Sequence, residues 1–301
     1  MNYQIELRHL LYFQVLAEEL HFRKAAERLF ISQPGLTRQI KQMEVIYSTT
    51  LFERGKRTVK LTEAGLYLKQ EVEILFNQLN NMHTQVQKIG EGKITTLKLG
   101  FIGSAVQTIL PELLAKLKAK QPLIDVTLNE LSNEIQMEML LKNELDFGFV
   151  RTENYPLNIA TLPILTENFA FVVPKNHLLS NKKKINLLDF KEEPFILFSK
   201  QYSASYYDLV MSIFRDHQFE PKVALRTVNA LSIFNLVSQG LGIAIVPSSL
   251  KKGYNTDVDF IELTHIPQRT TLYLAWNQEN RNPGIPFFID VLKEIKKYNL
   301  L

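Results

Sequence analysis

Apolar residues recur at helical spacing from the start of the chain. Leu10, Phe13, Ala17 and Leu20 predict a helix over Leu7 to Leu20. Ala25, Ala26 and Leu29 then form a short stripe on a second helix opening at Phe22, and Ile31 sits in a tight turn. Ser32 starts a third helix that carries Gln33, Thr37, Arg38, Gln39 and Lys41 on its outer face. Two small residues allow the helices to cross closely, and the third then offers amide, hydroxyl and guanidinium groups. That is the arrangement by which a helix-turn-helix presents its second helix to the DNA major groove. Gln and Arg suit the role because they pair two-pronged with adenine and guanine edges. The competing reading is a surface helical hairpin in an ordinary enzyme.

Further along, strand-like pieces flank a Gly turn between Leu51 and Leu61, predicting a two-stranded wing with a basic tip. Arg57 is placed to enter a narrow minor groove, with Arg54 and Lys56 on phosphates. Thr62 and Glu63 begin a long helix in which Leu68, Val72, Leu75, Leu79, Met82, Val86 and Ile89 step alternately by four and three. A strict heptad seam of this kind predicts burial against a second copy of the same helix. Gly90-Glu91-Gly92 ends the helix and marks a domain boundary.

From Ile94 onward strands and helices alternate: a strand over Leu97–Ile102, one helix over Ala105–Lys120, then strands Ile124–Leu128 and Phe147–Val150 around a helix at Glu134–Asn143. A similar set runs from Phe169 to Val246, and Thr271–Trp276 and Pro286–Tyr298 close the chain with a strand and a helix. Alternation predicts a mainly parallel sheet with helices on both faces. Ligands of such sheets sit beyond the carboxyl ends of strands, near helix N-termini. The turns that fit are Gly103-Ser104, Ser132-Asn133, Arg151, the polar run Ser199, Lys200, Gln201, Tyr202 and Ser203, and Asn229. Amides, hydroxyls and one guanidinium suit a small organic anion.

Charge sharpens this picture. The whole chain of 301 residues carries only +4, yet nine basic residues stand against three acidic ones between His21 and Lys60. A clustered positive face favours a polyphosphate partner. Cysteine is absent, which excludes disulfides, thiol catalysis and cysteine-ligated metal. MNYQIELRHL has no apolar core of the signal-peptide kind, and no long apolar run exists, so a cytoplasmic, non-membrane protein is expected. The six histidines lack metal-ligand spacing, Gly240-Leu241-Gly242 lacks the third glycine of a dinucleotide turn, and no nucleophile elbow or carboxylate pair is present. Neither an enzyme nor a cofactor is expected.

The stretch LRHLLYFQVLAEELHFRKAAERLFISQPGLTRQIKQME, followed by LFERGKRTVKLTEAG, resembles the N-terminal signature of LysR-type transcriptional regulators. The order of segments matches that family over nearly the whole chain. The resemblance implies an α+β multidomain protein: a winged helix-turn-helix over residues 1–61, a dimerisation linker helix over 62–91, and a two-lobe α/β effector domain over 92–301. That last part is similar to periplasmic binding proteins. Lobe one is expected at 92–165 and 267–301, lobe two at 166–266, with two crossing strands as a hinge.

The DNA-contacting set is then Arg23, Lys24, Ser32, Gln33, Pro34, Thr37, Arg38 and Lys41, with Arg54, Lys56 and Arg57 of the wing. GFIGSA and LDFGFVR resemble the branch responding to muconate, benzoate-type acids or acetoin-pathway signals, in which positions matching Ser104, Asn133 and Ser199–Ser203 line the inducer pocket. The family further implies a dimer, assembling to a tetramer, that acts through RNA polymerase. Two departures stand out: Gly35 where Ala or Ser is usual, loosening the first turn of the reading helix by up to ~1 kcal/mol, and Ser48 where Gly is usual. The alternatives weighed are an architectural DNA-binding protein with a vestigial sensor, and a transport solute-binding module, which leaves Ser32–Lys60 unexplained.

Overall fold

A computed structural model describes residues 5–55, 58–152, 154–180, 186–252 and 257–299, and divides into two units at Thr84/Gln85. The first unit opens with helices α1 (Leu7–Glu19), α2 (Phe22–Arg28) and α3 (Gln33–Ile46). Their inward faces meet in one cluster in which Phe13, Leu16, Ala25, Leu36, Ile40 and Met43 are almost wholly buried. Ser32 starts α3 because its Oγ accepts from Gly35 N at 3.2 Å, satisfying one of the free amides of the first turn, while Pro34 needs no acceptor there. The helix ends at Tyr47, and Ser48 follows with φ 52°. That left-handed backbone is one a glycine adopts without steric cost.

Strands β1 (Phe52–Arg54) and β2 (Val59–Leu61) pair antiparallel as the wing, anchored by Phe52 against Phe13 at a centroid distance of 5.4 Å. Lys56 and Arg57 lie outside the described residues. Helix α4 (Glu63–Gly90) follows, its start tied down by Thr62, whose Oγ1 accepts from Gly65 N and donates to Thr50 O. The heptad seam is used differently along its length. Val72 is only 2% exposed and belongs to the winged-helix core, with Leu68 and Leu75 packed at its edge. Met82, Val86 and Ile89 are 59%, 65% and 64% exposed. The expectation that all seven positions face a partner therefore needs correction: the first three lie against the chain's own N-terminal core, which the heptad spacing alone does not distinguish from a partner helix.

The second unit holds two lobes of matching topology. In lobe one, β3 (Thr95–Phe101), β4 (Ile124–Glu130) and β5 (Phe147–Val150) run parallel, while β12 (Thr270–Asn277) lies antiparallel between β5 and β6 (Ile159–Glu167), in the order β4-β3-β5-β12-β6. Lobe two repeats this pattern. Strands β8 (Pro194–Phe198) and β9 (Lys222–Thr227) are parallel, a parallel bridge joins Phe195 to Ile243 beside β10 (Ala244–Pro247), and β7 (Phe169–Pro174) lies antiparallel between β10 and β11 (Val258–Leu263). The sheets are thus mixed rather than mainly parallel. The sequence reading passed over β6 and β11, whose half-exposed residues carry a weak apolar signal. Chain passes between lobes twice, from β6 to β7 at Asn168 and from β11 to β12.

The single helix expected over Ala105–Lys120 is two: α5 (Gly103–Val106) and α6 (Leu110–Lys120). Inside one continuous helix Pro111 would leave a carbonyl four residues back without its donor, whereas in the first turn of α6 no such donor is needed, so the helix restarts there. Helices α7 (Asn133–Leu141), α8 (Ala204–Asp216), α9 (Ala230–Ser238) and α10 (Ile285–Asn299) complete the lobes. The lobe-one core stacks Phe147 on Phe288 with ring centroids 4.3 Å apart. Asp146 is buried beside this sheet, accepting from Lys98 N and from Asn280 and Asn282, and burial pushes its carboxyl above the usual range.

A Cβ built on Gly65 would stand 2.2 Å from Leu51 O, so only glycine lets the start of α4 approach the strand entry. Gly65→Ala is expected to destabilise the first unit by about 1–3 kcal/mol, as overpacking does. A wild-type melting temperature in the variant would show that this approach is not constrained.

Candidate functional site

Two places gather polar groups, one in each unit. In the first, the outward side of α3 carries Ser32, Gln33, Pro34, Arg38 and Lys41, all exposed, with Thr37 partly so. Cations nearby are divided into held and free. Arg23 pairs with Glu27 at 3.0 Å, and Arg28 with Glu18 and Glu19. Arg54, expected on a phosphate, instead pairs with Glu44 at 2.6 Å and lies over the Phe22 ring, so the wing's base is tied to α3 by this contact. Arg38, Lys41 and Lys24 have no acidic partner among the described residues. A surface of unpaired cations and amides on a rigid helix is matched to phosphates and base edges.

In the second unit a narrow cavity of about 60 Å³ lies between the lobes. Ser104, Asn133 and Arg151 from lobe one and Tyr202, Ser203 and Asn229 from lobe two line it. Ser132 does not; it caps α7 by accepting from Ile135 N. Ser199 closes the turn before α8 through its carbonyl, Lys200 is exposed and pairs with Asp208, and Gln201 is exposed; these three are brought to the mouth's surroundings but not to the wall. Asn229 lines the cavity while its Oδ1 also caps α9.

The sequence reading missed Glu130 and Tyr206 and the apolar wall of Ile102, Phe198, Val228, Pro247 and Leu250. The parallel register that sets Glu130 beside Phe101 was the available clue for the first. Apolar residues next to turns read simply as core.

Arg151 needs the largest correction. It is not a guanidinium left open for a small anion. Its guanidinium is buried and bonded through all three nitrogens: Nη2 donates to Glu167 Oε1 at 2.5 Å, Nε to Ser104 Oγ at 3.1 Å and Nη1 to Thr270 Oγ1 at 3.1 Å. Glu167 also accepts from Ser248 Oγ and from both the amide and hydroxyl of Ser249 in lobe two. Asn133 is as fully used, accepting from Arg151 N and donating to Arg151 O and to Ser203 Oγ across the cleft at 2.8 Å. Ala204 N donates to Glu134 Oε1 over the same gap. Glu167, Ser248 and Ser249 are distant from Arg151 in sequence and no motif marks them. Among the described residues no cluster fit to hold a metal ion is present, and no helix is long and apolar enough to cross a membrane.

Comparison with known proteins fits both places. Residues 7–66 match the model of the bacterial regulatory helix-turn-helix protein, lysR family, and residues 90–296 match the LysR substrate binding domain. The transcriptional regulator AlsR of Bacillus subtilis is 34% identical over 290 residues, covering 95% of each chain. Full-length BenM, in its crystal structure, is 28% identical with a TM-score of 0.60, covering 98% of this chain and 97% of that one. CbnR crystallised with its target DNA shares the fold, with a TM-score of 0.69 at 24% identity over 96% of this chain and 99% of that one. The relatives are named as regulators of transcription, not as enzymes. With one family model on the DNA-facing helices and another over the cleft, the chain belongs to the LysR family of DNA-binding transcription regulators with an effector-binding domain.

Proposed function

We propose that this regulator reads pseudo-palindromic promoter DNA as a dimer, assembled further into a tetramer. A small, anionic metabolite binding in the cleft between the two lobes shifts that assembly and its use of RNA polymerase. The observation that carries the DNA half is the outer face of α3, where Arg38 and Lys41 stand exposed without acidic partners among the described residues while Arg23, Arg28 and Arg54 nearby are paired. Protein two-fold symmetry is mirrored in the half-sites of its operator. The exposed run of Met82, Val86 and Ile89 supports pairing through the second half of α4, a narrower seam than the full heptad.

For the effector half, the support is a cavity walled by both lobes, which are tied by Asn133 to Ser203 and Glu134 to Ala204 besides the contacts of Glu167 with Ser248 and Ser249. A ligand that enters must exchange those ties for contacts of its own. It biases the lobe arrangement only by its difference in affinity for the two states. The alternative, an architectural DNA-binding protein with a vestigial sensor, makes the same first half and lacks the second. A thermal-shift screen with small carboxylic acids separates them, since a vestigial sensor gains no stability from any member of a broad panel.

Three outcomes are expected. Arg38→Ala costs ~1–3 kcal/mol of discrimination at one base pair, measured by competition between operator variants; uniform weakening on all sequences would move Arg38 to the phosphates. Met82→Asp places a charge in the exposed seam and shifts sedimentation towards monomer, whereas an unchanged assembly would remove Met82 from the interface. Arg151→Ala leaves Glu167 buried without its cation and lowers the stability of the second unit by about 3–5 kcal/mol in denaturant titration. A loss within error of zero would mean that Glu167 is satisfied by lobe two alone.

A further inference from the structure

Buried hydroxyls in folded proteins are nearly always paired. Among the described residues, several buried polar side-chain atoms lack a partner, including Ser205 Oγ, Gln136 Oε1 and the Tyr206 hydroxyl. Of the residues bearing them, Tyr206 is the one that lines the cavity between the lobes. It is 8% exposed, on the first turn of α8. Its ring is fixed from two sides, at right angles to Phe198 with centroids 5.4 Å apart and 6.1 Å from Phe169. The ring therefore holds the hydroxyl in one place, and packing does not explain why a phenol stands there rather than a phenylalanine.

The surrounding groups offer it nothing. Arg151 and Glu167 act on the phenol electrostatically, but the bonds of the guanidinium run to Glu167, Ser104 and Thr270, and Glu167 is supplied by Ser248 and Ser249. Burial pushes the phenol well above its ordinary range, so it remains a neutral donor. Across the cavity, Ser104 Oγ accepts from Arg151 Nε, which leaves its own proton for a ligand. Ser104 and Tyr206, one from each lobe, are thus two O–H bearing residues in the wall of a space of about 60 Å³, beside apolar side chains such as Ile102, Val228 and Leu250.

We propose that Tyr206 is the lobe-two residue that selects the effector, donating its hydroxyl to an acceptor oxygen of a carboxylate or carbonyl group whose other face meets Ser104. This rests on the effector reading above and adds to it the chemistry of one end of the ligand. A molecule held by both donors bridges the lobes, so the hydroxyl serves recognition and closure together. An apolar remainder fits against Ile102, Val228 and Leu250.

The test compares the purified full chain with Tyr206→Phe, which keeps the ring and its packing. Sodium acetate, sodium benzoate, acetamide and benzamide serve as probes in calorimetric titration, with melting recorded without ligand. The expected result is that a probe bound by the wild type binds the variant roughly tenfold more weakly, the loss of one buried hydrogen bond, while the unliganded variant melts no lower. Whether the loss appears with the acids or the amides identifies the acceptor. Equal affinity in the two proteins would overturn the assignment of Tyr206 and leave the effector reading standing. A variant that melts lower without ligand would show the hydroxyl to be part of the fold instead. If none of the probes bound the wild type, the effector reading itself would fall, and this assignment with it.

Discussion

A single buried ion pair organises the second unit. Arg151 leaves the end of β5, Glu167 the end of β6, and their contact is made with side chains 4% and 6% exposed. Thr270, which faces Glu167 in the β6–β12 register, donates nothing to the pair but accepts from Arg151, while Ser248 and Ser249 donate to Glu167 from lobe two. A buried pair of this kind adds little net stability over an apolar substitute, because desolvation offsets most of the attraction. Its effect is on geometry. Bonded from both sides, the end of β6 is held relative to β5 and to the turn after β10, at the place where the chain crosses between lobes. The cavity, the cross-lobe ties and the Tyr206 hydroxyl take their places from that frame.

The same frame neutralises the cavity's one buried guanidinium. A ligand reaching Ser104 and Tyr206 meets Arg151 already paired with Glu167, with the Glu130 carboxylate also among the lining residues. Recognition there falls to directional hydroxyl donors rather than to a free cation, and hydrogen bonds in a small, mostly apolar enclosure discriminate more sharply than they attract.

The first unit follows a different logic. Leu36, Ile40 and Met43 sink α3 into a core shared with α1, α2 and the wing, so its outer residues are presented on a rigid body. Pairing Arg23, Arg28 and Arg54 with local carboxylates leaves Arg38 and Lys41 as the cations available on that face. Helix α4 begins in this core and ends with its last turns tied to lobe one, where Lys88 and Lys93 both reach Asp125 and Gln85 meets Ile94 and Thr95.

What the sequence determined was whatever depends on neighbours in the chain. Apolar spacing of three and four placed α1, α3 and α4, small residues marked the helix crossing, Ser32 marked the start of α3, and strand ends followed by polar turns placed Ser104, Asn133, Arg151 and Ser203 around a cleft. Tertiary structure alone decided which partners those residues meet. A heptad cannot say whether Val72 faces another copy or its own winged helix, because both supply the same apolar groove. A strand-end arginine reads as an open charge until a glutamate sixteen residues later, on another strand, is folded against it. Tyr206 belongs to no motif, and its significance comes only from three-dimensional surroundings that bury its hydroxyl and give it no partner.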